Sequence, residues 1–125
     1  MTQFQLTALD PGRWKRAGGV ELDDVRVDVR YVDGTVVLAV RGEIDMATAQ
    51  ALEAPLDDLK PTVRAVIDLS DVEFMDSTAL RAIFVKALMM NDVGGSLHIR
   101  NASAQVRQLL HVTEFEVLLE KNAAT

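Results

Sequence analysis

Cysteine is absent from this 125-residue chain, and long apolar stretches are absent too. Without cysteine the chain forms no disulfides, no thiolate nucleophiles and no cysteine-ligated metal sites, which fits a reducing compartment. No apolar run approaches the roughly 18–20 residues that cross a bilayer. The N-terminus lacks the apolar segment of a signal peptide. We therefore expect a cytoplasmic protein without a membrane partner.

Positive charge is also scarce. The chain has 13 Lys and Arg against 19 Asp and Glu, a formal net charge of −6 and a pI of about 4.8. Such a surface repels phosphate backbones and anionic lipids, so nucleic acid is not an expected partner. A partner with a basic surface is expected instead. Hydrophobic residues make up 49% of the chain, which is enough to build one globular core.

The order of apolar and turn residues predicts a single α/β domain at residues 25–120. Residues 1–24 are interpreted as a flexible or irregular lead-in, and residues 121–125 as a tail. Strands are predicted from period-two or continuous apolar runs and helices from 3.6-residue periodicity. The predicted order is β-β-α-β-α-β-α, a mixed sheet of four to five strands with three to four helices. The predicted elements are strands at 25–32, 35–40, 63–69 and 96–100, helices at 47–59 and 76–91, a short helix capped by Ser103, and a last strand or helical turn at 115–119.

Local signals refine this pattern. Asp33-Gly34 predicts a tight hairpin turn between the first two strands. Pro55 falls inside the first helix and is expected to kink or shorten it. Gly94-Gly95 is interpreted as a turn, because it opens a strand and lacks the Gly-Lys-Ser/Thr of a phosphate loop. Met75, Met89 and Met90 are interpreted as core or interface side chains.

Polar residues gather in two loops that follow predicted strands. Glu43-Ile44-Asp45 follows the second strand, and a loop from Ser70 to Thr78 follows the third. If those strands are neighbours, both loops share one edge of the domain. Asp76, Ser77 and Thr78 suit the cap of the following helix, because a side-chain oxygen can accept a free backbone N–H there. A phosphate on such a hydroxyl would be tolerated by the helix dipole.

These residues resemble a known family. The segments Arg41–Asp45, Phe74–Leu80 and Gly94–Leu97 look like the STAS domain, and most like bacterial anti-anti-sigma factors, over about residues 25–120. We expect a non-enzymatic protein without a cofactor, and a monomer is the simplest expectation for the free chain. The resemblance implies binding to an anti-sigma factor that is also a serine kinase, so that a sigma factor is released. The partner-binding residues carried over are Glu43, Asp45, Met75, Asp76, Ser77, Thr78 and Ala79.

The resemblance also implies a phosphorylation switch. Ser77 is the expected phosphorylation site, Thr78 is a secondary one, and a phosphatase resets the system. Ala79 departs from the family pattern, since many members have glycine there. Its methyl group would stand where a kinase or partner approaches.

Other kinds of site have weaker support. His98 and His111 lack a second ligand at metal spacing, so no metal site is expected. A Ser77–His111–Asp45 triad lacks the G-x-S-x-G elbow. The acidic loop residues could gather around Mg²⁺ or form an acidic rim for a basic partner, and we prefer the rim. The alternative function is a STAS scaffold that binds a nucleotide or another signalling protein and is never phosphorylated.

Overall fold

A computed structural model describes the backbone of residues 16–22 and the backbone and side chains of residues 25–119. A five-stranded sheet carries the fold, with strands in the order β1-β2-β3-β4-β5. The strands are β1 (Arg16–Leu22), β2 (Val25–Val32), β3 (Thr35–Arg41), β4 (Arg64–Asp71) and β5 (Ser96–Arg100). The helices are α1 (Gln50–Asp58), α2 (Ser77–Asp92) and α3 (Ala104–Thr113), followed by a 3₁₀ turn at Glu116–Leu118.

The sheet is mixed, as the sequence predicted. β1, β2 and β3 pair antiparallel, and β4 pairs parallel with both β3 and β5. Asp33 and Gly34 both have positive φ, 49° and 81°, which is the two-residue turn that matches the twist of a hairpin. The parallel pairs need crossover connections, and α1 and α2 supply them. The predicted order β-β-α-β-α-β-α is confirmed from β2 onward.

The predicted irregular lead-in is wrong for Arg16–Leu22, which form β1. This strand pairs with β2 in a register that places Val20 opposite Val27, with an irregularity between Arg16 and Gly18. Gly18 and Gly19 interrupt the alternation of side chains that reveals a strand in a sequence, whereas ladder hydrogen bonds need only the backbone. The rest of the lead-in, residues 1–15 and 23–24, and the predicted tail lie outside the described residues.

One face of the sheet and the apolar sides of the helices form the core. Val27, Leu38 and Ile67 on adjacent strands have at most trace exposure, and Leu52 and Ile83 from α1 and α2 pack into the same cluster. Burial of this kind contributes roughly 25 cal/mol per Å² of apolar surface. No helix within residues 25–119 is both long and apolar enough to cross a membrane.

The helix boundaries follow local chemistry. α1 begins at Gln50, later than the apolar pattern suggests, because residues 46–49 form turns, and it continues through Pro55. α2 ends at Asp92, Gly94 follows with φ +94°, and the Gly95 amide donates to the Met90 carbonyl at 2.8 Å. That is a Schellman ending. Ser103 caps α3 by accepting from the Val106 amide, as predicted.

Candidate functional site

The two polar loops meet at one edge of the sheet, beyond the carboxyl ends of β3 and β4. The Ile44 amide donates to the Phe74 carbonyl at 3.0 Å, and the Asp76 amide donates to the Ile44 carbonyl at 2.6 Å. Ile44 and Met75 thereby form a parallel bridge. Because parallel strands β3 and β4 are direct neighbours, their loops leave side by side. The predicted juxtaposition of the two loops is confirmed.

Ser77 is the first residue of α2 and is exposed. Asp76 is the N-cap, and its carboxylate accepts the Thr78 amide while its carbonyl accepts the amides of Ala79 and Leu80. These bonds fix the first turn of the helix and leave the Ser77 side chain facing solvent. Thr78 is exposed beside it. The hydroxyl groups of the motif are therefore presented at the surface and not enclosed in the core.

Asp45 is held in place by Thr48, a buried polar residue with 6% exposure. The Asp45 carboxylate accepts the Thr48 amide at 2.9 Å and lies 3.0 Å from the Thr48 hydroxyl. That hydroxyl also lies 3.0 Å from the Glu43 carbonyl and accepts the Asp45 amide at 3.0 Å. The loop is thus closed by one threonine side chain, which the sequence reasoning missed. The Asp-x-x-Thr spacing, typical of a capped turn, could have revealed it.

The same bonds act on the charge of Asp45. Donation from the Thr48 amide, and then from its hydroxyl, lowers the pKa of the Asp45 carboxyl below its ordinary value of 3.8. Hydrogen bonds to the ionised form favour that form. Asp45 is therefore a fixed, exposed negative charge at neutral pH, next in sequence to the Ile44 carbonyl that binds Asp76.

Met75 takes the core position that was one of the two roles predicted for it, and the side chain of Ala79 is buried as well. Both side chains are 1% exposed and belong to the core cluster, so neither is available for direct contact with a partner. Met75 turns inward because alternate residues of the extended segment Phe74–Asp76 point to opposite sides. The methyl group of Ala79 packs inside and does not stand in the path of an approaching protein. Glu43, Asp45, Ser77 and Thr78 are exposed, and Asp76 is partly so.

Exposed apolar side chains flank this acidic edge. Met46, directly after Asp45, is 74% exposed, and Phe74, two residues before Asp76, is 50% exposed. Large apolar side chains beside a polar cluster are common in protein interfaces. No sequence signal marks these two residues, because their exposure depends on how the loops leave the sheet.

The two histidines lie in different surroundings. His111 Nδ1 lies 3.0 Å from Glu116 Oε2, so its ring is oriented by the 3₁₀ turn after α3. His98 is partly buried on β5. Across residues 25–119, no group of three or more His, Asp and Glu is arranged to hold a metal ion.

Comparisons with known proteins give a consistent picture. The family model described as STAS domain matches residues 26–123. Over 103 residues the chain is 30% identical to the anti-sigma-B factor antagonist of Bacillus subtilis (strain 168), an alignment that covers 80% of this chain and 93% of that relative.

Solved structures share the fold. A crystal structure of an anti-sigma factor antagonist from Mycobacterium paratuberculosis is 30% identical, with a TM-score of 0.62, and the match covers 80% of this chain and 86% of that one. The anti-sigma factor antagonist SpoIIAA in its unphosphorylated form gives a TM-score of 0.63 at 19% identity, covering 75% and 85% of the two chains. At that identity the likeness concerns the fold alone.

Proposed function

This chain belongs to the STAS domain family, and we propose that it is an anti-sigma factor antagonist. In this role it binds an anti-sigma factor in the cytoplasm and so frees a sigma factor for transcription. The names of relatives that are 30% identical support this role. The observation that carries it is the edge where Ser77, exposed at the start of α2, is joined through Asp76 and Ile44 to the loop of Asp45.

The proposed docking surface has an acidic part and an apolar part. Glu43, Asp45 and Asp76 supply carboxylates, and Met46 and Phe74 supply exposed apolar side chains. A partner that fits this edge has a basic rim around pockets for the two apolar side chains. The chain's net charge of −6 favours approach of such a partner. The free chain is a monomer in this proposal.

The proposed switch is phosphorylation of Ser77 by the anti-sigma factor itself, acting as a serine kinase. The γ-phosphoryl group passes from ATP to the Ser77 oxygen, the hydroxyl proton passes to a base of the kinase, and ADP leaves. Thr78 is the secondary site. A phosphatase returns the phosphate to water and restores Ser77.

Phosphorylation at this position affects the complex more than the fold. The phosphate adds roughly −1.5 to −2 charges. In the free chain, water and the N-terminal end of α2 accommodate this charge. In the complex, the phosphate would lose water beside the carboxylates of Asp45 and Asp76, so desolvation and repulsion both oppose binding. The modified chain therefore releases its partner while remaining folded.

Calorimetric titration with the purified anti-sigma factor of the same cell tests the proposal. We expect Ser77→Ala to bind like the unmodified chain, and Ser77→Asp to bind about a hundredfold more weakly, which corresponds to about 2.7 kcal/mol. Thr62→Asp is the matched control. Thr62 is exposed in the turn before β4, whereas the site lies beyond the other end of that strand. The Thr62→Asp substitution therefore adds the same charge away from the site.

Mass spectrometry after incubation with the anti-sigma factor and ATP tests the chemistry. We expect one added phosphate, at Ser77, on the unmodified chain, and no phosphate at position 77 of the Ser77→Ala chain. Equal affinities for the Ser77→Asp and Thr62→Asp chains would contradict the switch. A chain that never gains phosphate but binds a nucleotide by itself would instead support the scaffold alternative.

A further inference from the structure

α2 has apolar residues on a side that the core does not cover. Its core contacts include Ala79, Leu80, Ile83 and Met90, which are buried. Val85 and Met89 lie on another side and are 47% and 54% exposed. A helix that is apolar on more than one side usually buries the second side against another element.

The exposed apolar side faces a groove between α1 and α2. Thr78, Ala82, Val85 and Met89 line the α2 wall, and Leu56 contributes to the α1 wall. The α2 residues are spaced four, three and four apart, which is the d-a-d-a repeat by which one helix receives another. The repeat extends over about 16 Å of helix axis. We call this feature the α1–α2 groove.

Charged residues flank the groove with opposite signs on its two walls. Arg81 and Lys86 lie beside the repeat on α2, in the g and e positions that set partner choice in coiled coils. Glu53 and Asp57 lie on the α1 wall. The Lys86 ammonium also donates to the Leu59 carbonyl at 3.1 Å, which ties the end of α1 to α2 and so fixes the spacing of the walls.

We propose that the α1–α2 groove is a docking site for an amphipathic helix of the anti-sigma factor. The helix fits the groove with apolar residues at heptad spacing against Ala82, Val85 and Met89. Its carboxylates face Arg81, and its amines face Glu53 and Asp57. This inference rests on the proposed function and adds a second, apolar contact to the acidic edge around Ser77.

The groove continues directly from that edge. Thr78 is the first residue of the heptad repeat and the neighbour of Ser77. A helix lying in the groove therefore ends beside the phosphorylation site. One partner can cover both surfaces, and a phosphate on Ser77 would stand at the junction between them. The groove supplies apolar contact area, while the edge supplies the switch.

Substitution of the groove residues tests this inference. The groove variant is Val85→Ser with Met89→Gln, and the control variant is Val112→Ser with Val117→Ser, at positions that are 62% and 63% exposed elsewhere on the surface. Binding of the purified anti-sigma factor is measured by calorimetry for each. We expect the groove variant to bind about ten- to a hundredfold more weakly than the unmodified chain, and the control variant to bind equally well.

Charge reversal gives an independent measurement. Arg81→Glu is expected to weaken binding about tenfold, whereas Arg107→Glu, an exposed arginine on α3, leaves affinity unchanged. Thermal melting, monitored by circular dichroism, tests whether each variant is folded. Because all substituted side chains are exposed, the melting temperatures are expected to stay close to that of the unmodified chain.

The outcomes separate the two proposals. If the unmodified chain binds the anti-sigma factor and the groove and control variants bind equally well, the groove inference is overturned and the proposed function stands. If the unmodified chain binds no anti-sigma factor, both are overturned. Analytical sedimentation tests whether a second copy of this chain occupies the groove instead. If the unmodified chain is a dimer and the groove variant is a monomer, a second copy occupies the groove and the inference is overturned.

Discussion

Thr48 is expected to hold the Asp45 loop in shape, and Thr48→Val tests this with little change in volume. The Thr48 hydroxyl accepts the Asp45 amide at 3.0 Å and lies 3.0 Å from both the Glu43 carbonyl and the Asp45 carboxylate. Valine replaces that hydroxyl with a methyl group. The loop would keep its packing and the bond from the amide of residue 48 to the Asp45 carboxylate, but lose the three contacts of the hydroxyl.

The expected loss of stability follows from the two hydrogen bonds between the Thr48 hydroxyl and neutral backbone groups, the Asp45 amide and the Glu43 carbonyl. Each is worth about 0.5–1.5 kcal/mol, and leaving a group unpaired near the buried Thr48 side chain costs more. Because Asp45 itself is exposed, water can replace part of what is lost. We expect the free energy of unfolding to fall by about 1–2 kcal/mol. For a chain of this size that lowers the melting temperature by about 3–8 °C.

Thr113→Val is the matched control. The Thr113 hydroxyl donates to the Leu109 carbonyl at 2.7 Å within α3, and a helix carbonyl of this kind has other donors available. Urea denaturation of both variants gives the free energies, and we expect the loss to be clearly larger for Thr48→Val. If Thr48→Val unfolds like the unmodified chain, the idea that this hydroxyl organises the loop is refuted.

Acid titration provides a second measurement on the same variant. The pKa of Asp45 is lowered in the folded chain, so the ionised carboxylate stabilises the fold above its unfolded-state pKa. That contribution is lost as pH falls below about 3.8, through the folded-state pKa. In Thr48→Val, NMR titration should move the Asp45 pKa upward only part of the way to its ordinary value, because the amide of residue 48, the largest cause of the lowering, is kept. The stability difference between the two chains should shrink at acid pH.

Other perturbations test how the site and the sheet are built. Asp76→Ala removes the cap of α2 and should lower the free energy of unfolding by about 1 kcal/mol. Asp92→Ala, at the other end of α2, should not lower it. If the two variants give equal urea denaturation curves, the capping role of Asp76 is refuted. Gly95→Ala would place a Cβ against the backbone carbonyls of Pro61 and Val63, so we expect a loss of about 3 kcal/mol or more. At Gly94 an added Cβ has open space, so Gly94→Ala only places alanine at a positive φ and should cost about 1–2 kcal/mol. If thermal melts show Gly94→Ala to be the more destabilised of the two variants, this packing is contradicted.

The sequence predicted most elements of the fold because their signals are local. Period-two alternation identified β2, Asp33-Gly34 identified the hairpin, and the caps Asp76 and Ser103 fixed the starts of α2 and α3. β1 was missed because pairing with β2 is a backbone interaction that leaves no periodic pattern in a segment containing Gly18-Gly19.

The candidate site was also predicted in part, because some of its signals are local. The order of the strands placed the loops of Asp45 and Ser77 at one edge, and the cap chemistry exposed the hydroxyl. Met75 and Ala79 were assigned to partner contact from their place in the motif, with core packing as the other role considered for Met75, and both are buried. The direction of a side chain depends on the neighbouring element, and a motif does not contain that information.

By itself, the sequence determined the class of the domain, the acidic surface and the placement of Ser77 at the start of a helix, because periodicity, charge and capping are local properties of the chain. Only the tertiary structure decided which surfaces surround that serine. The closure of the Asp45 loop by Thr48, the exposure of Met46 and Phe74, and the groove between α1 and α2 all arise where separate elements meet. Such contacts depend on how the sheet brings distant segments together, and local sequence patterns do not encode them.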